Sequence, residues 1–307
     1  MKLRQIGNSK LMVTPLCLGG NVFGWTIDEP ASFEVLDAYV AMGGNFIDTA
    51  DVYSTWVAGN AGGESEVILG RWMKARSNRD KVVIATKCGS KMPGGSGLGR
   101  AWIHRAVDDS LRRLQTDYID LYQSHIDDAN APLEETMEAF DDLIRAGKVR
   151  ALGCSNYSGA RLRQALEISR QHGFARYECV QPKYNFVSRE YEQDPLPVVQ
   201  QNHVGCIPYS SLASGFLTGK YKRDAMLPES KRAAGVQQRY FNVAAFEALA
   251  KVEALATELS ATPAQVSLAW LMQQPTITAP IASATSVAQL KELMGAVALK
   301  LPQDALS

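Results

Sequence analysis

From Leu16 to Val297, short runs of apolar residues alternate with longer stretches in which apolar positions recur every three or four residues. Runs without internal alternation suit strands covered on both faces, and the longer period suits helices with one buried stripe. Eight such pairs follow one another. The predicted strands are Leu16–Leu18, Asn45–Asp48, Val82–Thr86, Ile119–Gln123, Val149–Cys154, Cys179–Gln181, Gly205–Tyr209 and Thr278–Ala282. The predicted helices are Ala31–Met42, Glu64–Lys74, Arg100–Leu114, Leu133–Ala146, Gly159–Gln171, Leu196–Gln201, Pro263–Gln273 and Val287–Val297. In the third helix Ile103, Val107, Leu111 and Leu114 form the stripe, with Arg105, Asp109, Arg112 and Arg113 expected to turn away from it. Eight strand–helix units predict an α/β fold, a (β/α)8 TIM barrel, as a single domain over residues 1–307. A doubly wound sheet competes, but no strand is followed by GxGxxG, and the GGSGLG run Gly94–Gly99 lacks that spacing and reads as a loop. Ahead of the first strand, Leu3–Ile6 and Leu11–Val13 flank Gly7, Asn8 and Ser9, which predicts a hairpin placed to plug the barrel bottom. An extra helix, Val243–Leu259, is expected between the seventh and eighth strands. Two long loops, from Tyr53 to Gly63 and from Ser211 to about Asn242, exceed the minimal repeat and suggest function.

Composition narrows the partners. Among 307 residues, 32 Lys and Arg balance 32 Asp and Glu, and no long run of one sign is present. That leaves no electrostatic footprint for nucleic acid or an anionic membrane surface. Leu259 to Leu290 carries no charge, yet Pro263, Pro275 and Pro280 with several Gln, Ser and Thr argue for a buried helix and strand rather than a membrane span. Five scattered cysteines (Cys17, Cys88, Cys154, Cys179 and Cys206) without CxxC fit small buried side chains better than disulfides or a zinc ribbon. The start has no continuous apolar core of a secretory leader, so a cytoplasmic location is expected. Nothing in the sequence sets the oligomeric state.

Catalytic groups of such barrels gather at the C-terminal ends of the strands. The polar residues expected there are Asp48, Tyr53, Lys87, His125, Ser155 and Asn156, and the first four come from three neighbouring strands. Taken singly, each has an ordinary reading as a packing tyrosine, a helix-capping aspartate or a solvated lysine. Convergence on one mouth is what changes that reading. A metal site on His125, Asp127 and Asp128 is weakly supported, since no HxH or HExxH occurs. The other histidines, His104, His172 and His203, read as surface residues. The blocks GGNFIDTADVY, SLRRLQTDYIDLYQSH, GCSN, QPKYN and PYSSLASGFLTGKY together resemble the aldo-keto reductase superfamily, most of all the branch related to potassium-channel β subunits and bacterial aldehyde reductases. The resemblance implies that Asp48, Tyr53, Lys87 and His125 form a catalytic tetrad. Physical reasoning agrees: hydride reduction of a carbonyl leaves an alkoxide that needs a proton, Tyr53 is the candidate donor, and the Lys87 charge is expected to lower its pKa. Asp48 would hold Lys87, and His125 would bond the substrate oxygen.

The same resemblance assigns the cofactor surface. It implies that Ser155, Asn156 and Gln181 bond a nicotinamide carboxamide and that Tyr209 stacks on its ring. Ser210, Ser211, Leu212, Gly215, Leu217, Gly219 and Lys220 would form the loop over the pyrophosphate, with Arg232 as an added charge. Ser283, Thr285, Gln289 and Glu292 would hold the far end. Thr285 stands where many relatives carry Arg, and Leu293 replaces a frequent Asn, so NADPH is favoured with NADH as the alternative. Trp25 and Trp56, in Gly-containing loops at the catalytic end, are the expected walls for a small-molecule carbonyl substrate with an apolar or aromatic body. The expected function is NADPH-dependent reduction of aldehydes and some ketones. The alternative is a nucleotide-binding redox-sensing or regulatory subunit with slow turnover.

Overall fold

The computed structural model describes residues 1–302 and 305. It opens with a hairpin of β1 (Arg4–Gln5) antiparallel to β2 (Met12–Val13). Eight parallel strands follow: β3 (Cys17–Gly19), β4 (Phe46–Asp48), β5 (Val83–Cys88), β6 (Ile119–Ser124), β7 (Val149–Ser155), β8 (Tyr177–Gln181), β9 (Gly205–Cys206) and β10 (Ile281–Ala282). Each of β3 to β8 pairs with the next in chain order up to β9, and β10 pairs with β3. Residues leading into β10 bond to β9 on the other edge: Cys206 N–H donates to Thr276 O at 3.0 Å, and Thr278 N–H to Cys206 O at 2.7 Å. The sheet is therefore closed into the expected (β/α)8 barrel. β9 and β10 are shorter than the predicted Gly205–Tyr209 and Thr278–Ala282. Pro208 and Pro280 have no N–H for the ladder, and their carbonyls alone take part, accepting from Ile281 and Cys17.

Helices α1 (Glu29–Ala41), α2 (Glu64–Arg76), α3 (Arg100–Leu114), α4 (Leu133–Arg145), α5 (Gly159–His172) and α6 (Leu196–Gln201) connect successive strands. Their starts follow local chemistry, as where Asp28 and Ser158 side chains cap α1 and α5. Between β9 and β10 lie α7 (Ala233–Tyr240), α8 (Val243–Glu258) and α9 (Pro263–Gln273), and α10 (Val287–Gly295) closes the barrel wall. The extra helix α8 stands where the sequence placed it. α7 was expected to be loop; it forms because Val236 and Tyr240, four residues apart, bury one face. The stripe of α3 also differs from expectation. Ile103, Ala106, Val107, Ser110 and Leu114 are buried, Leu111 is half-exposed, and Arg113 turns inward onto Glu66.

The hairpin does plug the bottom. Ile6, Leu11 and Val13 pack against Cys17, Phe46, Ala85, Leu121, Ala151, Cys179, Ile207 and Ala279 in one cluster inside the barrel. Side chains alternate along a strand, so the residue two further on also points inward. Phe46 is followed by Asp48, Ala85 by Lys87, Leu121 by Gln123, and Cys179 by Gln181. An apolar floor thus carries a polar layer at the C-terminal mouth. Gly153 sits in that layer after Ala151, where a Cβ would lie 3.0 Å from Gln123 Cγ and 3.2 Å from Cys179 O. The five cysteines are free and buried, and no described helix is long and apolar enough to cross a membrane.

Candidate active site

The polar layer is organised around one buried ammonium. Lys87 Nζ donates to Asp48 Oδ2 at 2.7 Å, to Thr49 O at 2.7 Å and to Tyr53 Oη at 3.1 Å, with the whole side chain out of contact with solvent. Its three protons and three acceptors match, which is the condition for burying a charge. Asp48 also accepts through Oδ1 from Gln181 Nε2 at 2.9 Å and Gln123 Nε2 at 3.3 Å. Gln123 joins the site through a signal that strand ends alone do not give, the inward register two residues past Leu121. His125 follows β6, with its backbone N–H donating to Cys88 O at 2.8 Å and its ring 6.1 Å from that of Tyr53. The four residues expected to converge do so.

Electrostatics at this point correct one expectation. Burial pushes Tyr53 up to about 12, outweighing the lowering by Lys87. Burial works against the Lys87 ammonium, but Asp48 and Tyr53 outweigh it and hold the lysine above its ordinary value. Burial, then the Lys87 charge, push His125 down to about 3, so its imidazole is neutral at ordinary pH.

A cleft of about 1340 Å³ opens above this layer. Asp48, Tyr53, His125, Ser155, Asn156, Gln181, Tyr209, Ser210, Ser211, Leu212, Gly215, Lys220, Arg232, Ser283, Thr285, Gln289 and Glu292 all line it. Leu217 does not: it is fully buried in the core, because the turn Ala213–Thr218 sends it and Phe216 inward. Gly219 also lies off the cleft, at φ +78° where the chain ends that turn against Pro263. Several lining groups are already engaged. Tyr209 Oη donates to Asn156 Oδ1 at 3.0 Å, Ser155 Oγ to Gln181 O at 2.7 Å, and Ser283 Oγ to Asn21 Oδ1 at 2.6 Å. Asn156 and Ser210 hold φ of +62° and +56°, a left-handed backbone uncommon for residues with a Cβ and typical of functional turns. Asn185, not foreseen, holds Ser210 by donating to its carbonyl at 3.0 Å.

Lys220 and Arg232 carry free positive charge at the rim. Burial and the nearby Arg232 hold Lys220 below its ordinary value, and burial does the same to Arg232. Neither has an ion-pair partner among the described residues. A phosphate between them would relieve both costs. Thr285 donates through N and Oγ1 to Gln289 Oε1, each at 2.9 Å. On the other side of Tyr53, Trp56 lies 6.0 Å away by ring centroids and Trp25 lies 5.5 Å from Trp56, both edge-on. Trp56 is 47% exposed, and neither it nor Trp25 lines the cleft; the two stand beside Tyr53 rather than in the cleft wall. Lys231 Nζ donates to Trp25 O at 3.0 Å, and the Arg232 guanidinium lies 5.3 Å from the Trp25 ring centre.

Comparison with known proteins shows similarity along nearly the whole chain. The sequence model of the Aldo/keto reductase family matches residues 15–307. An uncharacterized oxidoreductase, YrpG, of Bacillus subtilis is 35% identical over all of this chain and 94% of its own length. Norsolorinic acid reductase B of Aspergillus parasiticus is 32% identical over 99% of this chain and 82% of its own. A putative voltage-gated potassium channel subunit beta of Schizosaccharomyces pombe is 31% identical over 96% and 87%.

Proposed function

The chain belongs to the aldo/keto reductase family of nicotinamide-dependent oxidoreductases, and from that premise we propose that it is an NADPH-dependent reductase of aldehydes and some ketones, with Tyr53 as proton donor. The observation that carries this reading is the Lys87 ammonium bridging Asp48 and Tyr53 at the floor of the cleft. A nicotinamide cofactor held in the cleft would supply the hydride that reduces the carbonyl carbon. Ser155, Asn156, Gln181 and Tyr209 would hold its nicotinamide end, and the unpaired Lys220 and Arg232 fit its phosphates. Ser283, Thr285, Gln289 and Glu292 would hold the far end, while Leu217 and Gly219 act only by shaping the loop.

Tyr53 keeps its proton at neutral pH, because its pKa is high. An alkoxide is a far stronger base and takes that proton, and Lys87 stabilises the phenolate left behind. Asp48 keeps the ammonium charged and aimed. Neutral His125 donates a hydrogen bond to the substrate oxygen from the nitrogen that bears its proton. Trp25 and Trp56 would flank the substrate beside Tyr53, which suits an aldehyde with an apolar or aromatic body. Tyr53→Phe keeps the ring and removes the proton, so kcat should fall 10²–10⁴-fold, about 3–5 kcal/mol of barrier, with the NADPH dissociation constant nearly unchanged. A variant that keeps more than roughly a third of kcat when chemistry limits the rate would remove Tyr53 from the role.

The relatives named as potassium channel β subunits motivate a second reading, a nucleotide-binding regulatory subunit with slow turnover. Tight NADPH binding with negligible turnover across a broad aldehyde panel would favour it.

A further inference from the structure

Between Asp48 and Tyr53 the chain buries a carboxyl that the reaction does not use. Asp51 is 1% exposed, no side chain bonds either of its carboxylate oxygens, and the adjacent Val52 N–H, the one backbone donor beside them, stands outside full hydrogen-bond geometry. Its backbone N–H donates to Lys87 O at 3.2 Å, so it fastens the loop to the strand that carries the ammonium. Glu66 of α2, Arg113 of α3, Lys87 and Cys88 of β5 and Tyr122 of β6 face it. Glu66 is saturated: Oε1 accepts from Thr86 Oγ1 at 2.6 Å and Oε2 from Arg113 Nε at 2.6 Å. Beside the Asp48–Lys87 pair, the cluster thus holds two carboxyls and one guanidinium, with the guanidinium already bonded to Glu66. An unpaired buried carboxylate is far costlier than a buried carboxylic acid.

We propose that Asp51 is a positioning residue held as the neutral acid, and that its ionisation dislodges the loop that places Tyr53 for proton transfer. Burial, then Glu66, push Asp51 up to about 8. Cys88 and Tyr122 are raised by their own burial and stay neutral through that range. Tyr53, pushed up to about 12, His125, pushed down to about 3, and Lys87, held above its ordinary value, do not titrate there. An alkaline fall in the single-turnover rate centred near pH 8 that Asp51→Asn removes, with cofactor saturating so that Lys220 at the rim does not limit it, would therefore report Asp51.

The sign for stability follows. Between about pH 4 and 8 the native state keeps this proton and the unfolded chain has lost it, so stability falls as pH rises through that window and levels off above it. Asp51→Asn mimics the neutral acid and lacks that fall. Single-turnover rates of wild type should drop about tenfold from pH 7 to 9, while those of Asp51→Asn stay within about twofold. The melting temperature of the variant should gain on wild type steadily from pH 4.5 to 8 and run parallel beyond. An alkaline limb unchanged in Asp51→Asn, or melting curves parallel across the whole range, overturns the proposal. Should that variant not fold, Glu66→Gln serves: the infrared carbonyl band of the buried acid should disappear at lower pH than in wild type, and an unmoved midpoint again overturns it. The inference rests on Tyr53 as donor, but melting and infrared readouts need no turnover. Their failure falls on Asp51 alone, and an active Tyr53→Phe falls on the donor reading alone.

Discussion

At the scale of single residues, the site is built from groups whose partners are counted out. Lys87 meets three acceptors, Asp48 accepts from the lysine and two glutamines, and Tyr209 is tied to Asn156. The rim is different, because among the described residues neither Lys220 nor Arg232 has an ion-pair partner, and Thr285 directs its donors to Gln289. Discrimination of NADPH over NADH should then be modest, since no charge-assisted contact stands at position 285. Thr285→Arg should tighten NADPH binding by roughly ten- to a hundredfold, the equivalent of about 1.5–3 kcal/mol for a hydrogen bond to a charged group, and leave NADH nearly untouched. Fluorescence titration of both cofactors into both proteins checks this. Equal gains for the two would show that residue 285 does not face the 2′-phosphate.

At the scale of elements, strand register converts sequence alternation into two layers. Gly153 in β7 occupies a position where a methyl group would sit a few tenths of an ångström too close to its neighbours in the polar layer. Gly153→Ala would press on Gln123 and on the Cys179 carbonyl, and the carbonyl, tied into the strand backbone, yields less easily than a side chain. A loss of about 1–3 kcal/mol in urea unfolding is expected from overpacking. Because Gln123 bonds Asp48, kcat should fall as well, whereas an unaltered unfolding midpoint would mean that the strand relaxes freely. Outside the barrel, the Glu66–Arg113 pair ties α2 to α3 and Thr86 ties Glu66 to β5. Period alone had turned Arg113 outward. Its long stem and the buried acid opposite brought it in.

At the scale of the molecule, the hairpin closes one end of the barrel and the cofactor cleft opens at the other, so stability and chemistry are separable. Ile6 is fully buried in the floor, and Ile6→Ala should cost about 2–5 kcal/mol by leaving a cavity. Denaturant unfolding gives that cost, and an NADPH dissociation constant altered more than about threefold would show that the two ends communicate. The alternation of apolar runs and helical stretches determined by itself the barrel, the hairpin and the extra helix, because burial on both faces of a strand and one face of a helix leaves a periodic trace. Strand ends located Asp48, Tyr53, Lys87 and His125 for the same reason. The tertiary structure alone decided what periodicity does not encode: the inward turn of Leu217, the left-handed Asn156, the bonds of Gln123 and Asn185. It alone decided too that burial outweighs the Lys87 charge at Tyr53 and leaves Asp51 unpaired beside Glu66, since desolvation and pairing depend on groups distant in the chain.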